Sequence, residues 1–507
     1  MNVTNTIWRN CNAYPDRIAV LYDGRPVSYR TLRARAELAS ARLAATGVTR
    51  GDVVALSIYN NKMSYLIVLL AVARLGAVAM PQSNYREELV EGDRIHTIIL
   101  DKDDGWRSSS LPALQYLEAH KLLAPPVQGE RLDVPPVAQG LDEQPWLIAH
   151  TSGTTGRPKK NPQAHGRSAL SASLSRRDNQ DDEERVFPFT PLGTEYGIYI
   201  VMRQLYCSAT TVLTQSNKPE DFFAAVQRDR PTRVMTTPGN ASLLVAHAAK
   251  ALPESSVMCA SIRSMGVGGS FVSPGLREGI EQRICSRVEV RYGSTENGVL
   301  AISTPETRAA RPNSAGRLMP WVQAEAVDEN DQPLPYGQRG VLRFKSPVLA
   351  TGYLDDEQAT ARAFRNGWFY PGDTGSVGTA GYLFLSGRTD DVINLGGEKI
   401  DPRLIEALLD EQPEIIASAV VVVNLDTGIP VLVAAVEALA PFDSEALKRL
   451  CHKRLGRRYM PHAIVQIDAL PRNETGKVMR SALAARLKIS SKDATTMKDT
   501  ISNLPDD

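Results

Sequence analysis

Ten residues combine the groups that a polyphosphate demands: Thr151-Ser152-Gly153-Thr154-Thr155-Gly156-Arg157-Pro158-Lys159-Lys160. Glycine lets backbone approach an anion, hydroxyls and N–H groups donate hydrogen bonds, and cations balance its charge. The spacing is not that of a Walker A loop, which needs Gly-x-x-x-x-Gly-Lys-Ser/Thr. A flexible Gly/Thr surface loop before a helix is the plainer alternative. Further along, Tyr292-Gly293-Ser294-Thr295-Glu296 follows an apolar run, Val288 to Tyr292, and so sits at the carboxyl end of an expected strand. Ligands of open α/β sheets collect at such ends. The glycines of Ser264 to Ser270, Gly266, Gly268 and Gly269, are a weaker signal that more often reflects tight packing.

The elements that must position these groups alternate between strand and helix patterns. Ile18 to Tyr22 and Pro26 to Tyr29 flank Asp23-Gly24-Arg25, a hairpin signal. Leu32, Ala36, Ala39 and Leu43 fall on one helical face that Gly47 is placed to end. Val53 to Ile58 reads as a buried strand, Tyr65 to Leu75 as a core helix and Gly76 to Met80 as the next strand. Phe187 to Pro191, Thr210 to Leu213 and Arg233 to Thr236 continue the pattern. The fold class expected is therefore α/β: a large N-terminal domain of several subdomains with parallel or mixed sheets. Short strands and turns from Trp321 to Tyr353 predict a small β subdomain within it. A small mobile α/β domain should follow. The expected boundaries are 1–388 for the large domain, 389–390 for a hinge and 391–487 for the small domain, with 488–507 a polar disordered tail.

Composition excludes several classes. The 507 residues are 43% hydrophobic and 23% charged, ordinary for a globular protein of more than one domain. A formal net charge of +1 gives no reason to expect a nucleic-acid partner. The apolar run Tyr65 to Ala73, cut by Arg74 and Gly76, is too short for membrane insertion. Five scattered cysteines without a C-x-x-C pair argue against a disulfide framework or structural zinc. With no apolar leader at Met1 to Arg9, they point to a cytoplasmic protein.

Five motifs occur in order: Ser152-Gly153-Thr154-Thr155-Gly156-Arg157-Pro158-Lys159, Tyr292-Gly293-Ser294-Thr295-Glu296, Gly372-Asp373, Gly387-Arg388-Thr389-Asp390-Asp391 and Pro471-Arg472-Asn473-Glu474-Thr475-Gly476-Lys477. Together they resemble the adenylate-forming superfamily of acyl-CoA synthetases, peptide-synthetase adenylation domains and luciferases, over nearly the whole chain. The motif style is closest to CoA ligases. The resemblance implies that a carboxylic acid attacks the α-phosphate of ATP, giving an acyl-adenylate and pyrophosphate, and that a thiol then displaces AMP. Coenzyme A is the expected acceptor. A carrier-protein phosphopantetheine, loaded with an amino or other polar acid, stays open, as does a nucleotide-binding regulator without catalysis.

By the same resemblance Lys477 is the main catalytic cation, Thr295 bonds the α-phosphate and Glu296 ligates Mg²⁺, a hard cation suited to carboxylate oxygen. ATP or AMP is expected on Thr151, Ser152, Gly153, Thr154, Thr155, Gly156, Lys159, Tyr292, Gly293 and Ser294, with Asp373 and Arg388 at the ribose. Asp390 corresponds to the hinge, and Gly396 and Gly397 to the pantetheine tunnel. Gly193, Thr194, Glu195, Tyr196, Gly268 and Gly269 fall in the acid pocket. There Pro191-Leu192-Gly193-Thr194 replaces a common Pro-Leu-Phe-His, so the gating argument from bulky residues does not transfer. Lys160 is an extra cation after the clamp lysine. Glu195, costly in an apolar pocket unless paired, is expected to read a polar or cationic group on the substrate, such as an amine, or to pair with an arginine such as Arg203 or with solvent. Proline fixes φ near −65°. Asp390→Pro should therefore spare ATP–pyrophosphate exchange and lower thioester yield; wild-type rates in both half-reactions would remove Asp390 as the pivot.

Overall fold

The computed structural model describes residues 1–82, 95–101, 114–126, 132–151, 159–175, 184–251, 259–389, 393–395, 398–425, 427, 429–473 and 476–487. Two sheets build the larger part. In the smaller sheet, the strands Gln115–Glu118, Ile95–Leu100, Val53–Ser57, Val78–Pro81 and Pro145–Thr151 run parallel, and Lys159–Ala164 closes the edge antiparallel. The larger sheet contains a parallel run ordered Ile18–Tyr22, Thr210–Leu213, Arg185–Phe189, Arg233–Thr236, Ser264–Gly268, Val288–Ser294. The expected hairpin at Asp23 forms, with Arg25–Ser28 antiparallel to Ile18–Tyr22.

The helix Lys62–Leu75 is buried on nearly every side, because its apolar residues occupy all faces rather than one stripe. The Asn61 side chain accepts from the Ser64 N–H at its start, and left-handed Gly76 ends it. It packs with Leu32, Ala36, Ala39 and Leu43 of the helix Tyr29–Ala45 in one core. On the other side of the large sheet a second core gathers Phe187, Phe189 and Phe222, with ring centroids 4.9–5.7 Å apart.

The β region expected at Trp321 to Tyr353 has its own core around Leu342 and Phe344. It does not stand apart as a sheet. Its strands Gln323–Val327 and Gly340–Lys345 join through Asp373–Val377 to Tyr382–Arg388, which pairs antiparallel with Gly316–Leu318, so the large sheet extends to 15 strands.

The C-terminal part has a three-stranded sheet, Ile415–Asn424, Pro430–Ala438 and Ala463–Gln466, with separate cores on its two faces. It docks through the strand Ile415–Asn424 against the helix Pro274–Arg283. Ile416 is buried among Phe187, Leu276 and Ile280, which stabilises the dock by roughly 2 kcal/mol. The Ser273 hydroxyl donates to the Ile416 carbonyl at 2.5 Å. Gly275 permits this approach, since a Cβ there would lie 2.5 Å from the Ile415 oxygen. Gly275→Val should therefore undock the C-terminal part. Proteolysis between the two parts should quicken and the radius of gyration should grow, while unchanged values would show that the helix yields instead.

Candidate active site

The strand Val288–Ser294 turns back through Thr295, Glu296 and Asn297 into Gly298–Ser303. Thr295 and Glu296 thus sit on a hairpin tip at the carboxyl end of the parallel run. Gly293 is required at its base, because a Cβ would lie 2.2 Å from the Gly298 oxygen. Three elements hold the tip. Gln163 Nε2 donates to the Thr295 carbonyl at 3.2 Å, Arg167 Nη1 to the Glu296 carbonyl at 3.4 Å, and the Ala350 N–H to that same carbonyl at 2.7 Å. Gln163 and Arg167 stand four residues apart across the junction from Lys159–Ala164 into the helix His165–Ser175. The strand that follows the Gly/Thr segment thus fixes Thr295 and Glu296.

Glu296 is buried, and its Oε1 accepts from the Tyr353 hydroxyl at 2.7 Å. Among the described residues its second oxygen has no protein donor. Burial and this carboxylate push the Tyr353 hydroxyl far above its ordinary range. Lys159 Nζ lies 4.8 Å from the centroid of the Tyr353 ring, a cation–π contact. Lys160 lies 3.8 Å from the Asp355 carboxylate.

Asp373 and Arg388 face each other across the antiparallel pair Asp373–Val377 and Tyr382–Arg388. Arg388 Nη1 donates to Asp373 Oδ1 at 3.0 Å, and the Tyr292 hydroxyl donates to Oδ2 at 2.5 Å. Each oxygen is thereby oriented while keeping lone-pair capacity for further donors. Tyr292 comes from the strand that carries the Thr295 tip, which couples Asp373 to it.

Lys477 belongs to a tight turn. Asn473 N–H donates to the Lys477 carbonyl at 2.9 Å, and Gly476 holds φ +82. The turn sits on the larger part, where the Ser270 hydroxyl donates to the Gly476 carbonyl at 3.1 Å. A Cβ on Gly476 would lie 2.9 Å from Thr237 Cβ, and one on Gly239 would lie 2.7 Å from Arg472 Cδ. Glu437 braces the seat by accepting from Ser242 and from the Leu470 N–H, both at 2.7 Å. Lys477 is thereby brought to the ends of the strands Arg233–Thr236 and Ser264–Gly268.

Glu195 begins the helix Glu195–Tyr206 and lines a cleft of about 590 Å³, part of it open to solvent, with Arg167, Thr295, Tyr199 and Arg203. Burial pushes its carboxyl up to about 7; Arg167 opposes the shift and Glu296 reinforces it. Arg167, not Arg203, is the cation that acts on it. Thr194 caps the helix, accepting from the Gly197 N–H at 3.1 Å and donating to the Pro191 carbonyl at 2.7 Å. Gly193 lies beside Tyr65, and Tyr196 packs near Gly268. His165 is a buried structural residue whose Nδ1 accepts from the Val3 N–H at 2.9 Å.

The strands Pro145–Thr151 and Lys159–Ala164 stay in register up to the pair Thr151 and Lys159. Ser152, Gly153, Thr154, Thr155 and Gly156, together with Asp390, Gly396, Gly397 and the tail, lie outside the described residues. Gln163, Arg167 and Tyr353 escaped the sequence reading, since none belongs to a motif.

Residues 7–354 match the model of the AMP-binding enzyme family. An indoleacetate–CoA ligase of Aromatoleum aromaticum is 29% identical, with 95% of this chain and 97% of the relative covered. A 2-succinylbenzoate–CoA ligase of Bacillus licheniformis is 27% identical, with 95% and 100% covered. Among solved structures, the o-succinylbenzoate CoA synthetase of Bacillus subtilis with its acyl-adenylate superposes with a TM-score of 0.80 at 24% identity, over 96% of this chain and 98% of that one. An amide bond synthetase of Marinactinospora thermotolerans gives 0.79 at 23%, over 95% and 99%. With its family model spanning more than half of the sequence, this chain belongs to the AMP-binding enzymes.

Proposed function

We propose that the chain is an AMP-forming acid–thiol ligase: it joins a carboxylic acid to AMP, then transfers the acyl group to coenzyme A. The observation that supports this is that the braced Thr295–Glu296 tip and the seat of the Lys477 turn, at Ser270, follow the carboxyl ends of two neighbouring parallel strands, and Tyr292 on one of them bonds Asp373. Relatives named as CoA ligases, matched over nearly their whole length, support the acceptor.

The first step brings two anions together: a carboxylate oxygen bonds the α-phosphorus and the bond to pyrophosphate breaks. Groups that meet the charge must be in place beforehand. Thr295 holds the α-phosphate and Lys477 bridges it and the attacking carboxylate. Thr151, Ser152, Gly153, Thr154, Thr155, Gly156 and Lys159 take the leaving phosphates, while Asp373 and Arg388 hold the ribose. Glu296, with one oxygen engaged by Tyr353, suits Mg²⁺ held mainly by phosphates, where that ion would neutralise negative charge. The second step needs a thiol where Lys477 had been, so the small domain turns about Asp390 and brings Gly396 and Gly397 to line the thiol's path. Glu195 lies at the acid and is placed to read a polar group there. We place the reaction in a reducing, cytoplasmic compartment; the five free cysteines support this.

Lys477→Ala should slow ATP–pyrophosphate exchange by on the order of 10²-fold or more. Thioester formation from pre-made acyl-adenylate should be largely unaffected; equal losses would put Lys477 in both steps. For Glu195, the folded value of about 7 exceeds the ordinary 4.5. Between those values the unfolded chain releases a proton that the folded chain keeps, so stability falls as pH rises. The melting midpoint of Glu195→Gln relative to wild type should therefore climb between about pH 5 and about pH 8. A constant difference would mean that this carboxyl titrates normally.

A further inference from the structure

The cleft that holds Thr295 follows one face of the helix Glu195–Tyr206. Glu195, Ile198, Tyr199, Met202, Arg203 and Tyr206 all line it, spaced by the threes and fours that share a helical side. The helix has 12 residues, so its ends lie about 16 Å apart. Arg167 acts on Glu195 at the first end, where Thr295 also lies. Toward the second end Met202 and Tyr206 share a core with Trp146 and Leu147, which line the cleft as well. The same core and the same cleft contain Val3.

Val3 belongs to neither helix; it precedes the helix Thr4–Ala13. Both of its backbone groups are engaged. Its N–H donates to His165 Nδ1 at 2.9 Å, and its carbonyl accepts from the Tyr206 hydroxyl at 2.5 Å. His165 begins the helix His165–Ser175, which brings Arg167, Ser171 and Ala172 to the cleft. Val3 is thus tied to both helices that flank the cleft. Its neighbours are pinned too. Asn2 Nδ2 donates to the Ala73 carbonyl at 2.7 Å, and Asn2 Oδ1 accepts from the Thr4 N–H at 2.9 Å and the Thr4 hydroxyl at 2.8 Å. Asn2, Val3 and Thr4 are all 0% exposed. A side chain fixed in this way, in a close-packed core, does not retreat when the cleft fills.

We propose that Val3 is a specificity-determining residue: it closes the far end of the acid cleft and sets how long an apolar tail the acid can carry. This role rests on the acid-activating reading above. With the reacting carboxylate at Thr295, the rest of the acid runs along the helix toward Tyr206 and meets Val3 last. The far end of the acid is apolar, because a polar group among Val3, Trp146, Leu147 and Met202 would be buried without a partner. The Tyr206 hydroxyl does not supply one, being engaged by the Val3 carbonyl.

The test is ATP–pyrophosphate exchange with unbranched and ω-phenyl carboxylic acids, each series lengthened one CH₂ at a time, on wild type, Val3→Ala and Val3→Leu. Val3→Ala should move the best acid to a longer one, raising kcat/KM for the first acid that wild type rejects by on the order of tenfold. Val3→Leu should move it to a shorter one. Circular dichroism checks the fold, and Val3→Ile, one methyl larger than wild type, replaces any variant that fails and must shift the optimum as Val3→Leu does. Folded variants that keep the wild-type optimum, or that lose every length equally, would overturn the proposal and leave acid activation standing. No exchange with any acid would overturn both readings.

Discussion

The chemistry proposed here depends on two backbone carbonyls. Thr295 and Glu296 lie on a hairpin tip, a place where chains ordinarily move. Donors from separate elements, the Gln163 amide, the Arg167 guanidinium and the Ala350 N–H, hold their carbonyls in place. A side chain can be preorganised only as well as the backbone beneath it, and preorganisation gives electrostatic catalysis most of its strength. The burial of Glu296 adds to this, since a carboxylate taken out of water needs a donor such as the Tyr353 hydroxyl to keep its orientation.

The seat of Lys477 follows the opposite logic. The C-terminal part meets the larger part through close backbone approaches at Gly476, Gly239 and Gly275, hydroxyls from Ser270 and Ser273 onto carbonyls, and the Ser242 hydroxyl onto the Glu437 carboxylate. Single hydrogen bonds between neutral groups are worth about 1 kcal/mol each, and those to a charged group about 1.5–3 kcal/mol. A surface of that kind can be left and retaken, as the role proposed for Lys477 in only one of two steps requires.

Much of this was legible because local patterns and global fold agree. Thr210–Leu213 and Arg233–Thr236 form at their expected bounds, and the hairpin at Asp23 follows its turn residues. The large helix starts at Lys62, earlier than its apolar run, because Asn61 caps it. The small β region was legible from its short strands and turns, but how it joins the large sheet was not: which edge Gly316–Leu318 joins is decided by a partner strand more than 60 residues later. Thr194 stands where an N-cap is expected, but no pattern in sequence shows that Tyr353 meets Glu296. A Cβ at Gly266 would meet Met235 Sδ at 2.6 Å and one at Gly268 the Arg291 oxygen at 3.1 Å, neighbours that only the register of adjacent strands reveals.

The central claim is that a carboxylate oxygen bonds the α-phosphorus of ATP and stays with AMP when the thiol takes the acyl group. The direct measurement is mass spectrometry of the products from an acid carrying heavy oxygen in its reacting carboxylate, turned over with ATP and coenzyme A. The account predicts one heavy oxygen in AMP and none in pyrophosphate. Heavy oxygen in inorganic phosphate, with ADP as the nucleotide product, would mean attack on the γ-phosphorus and would contradict it.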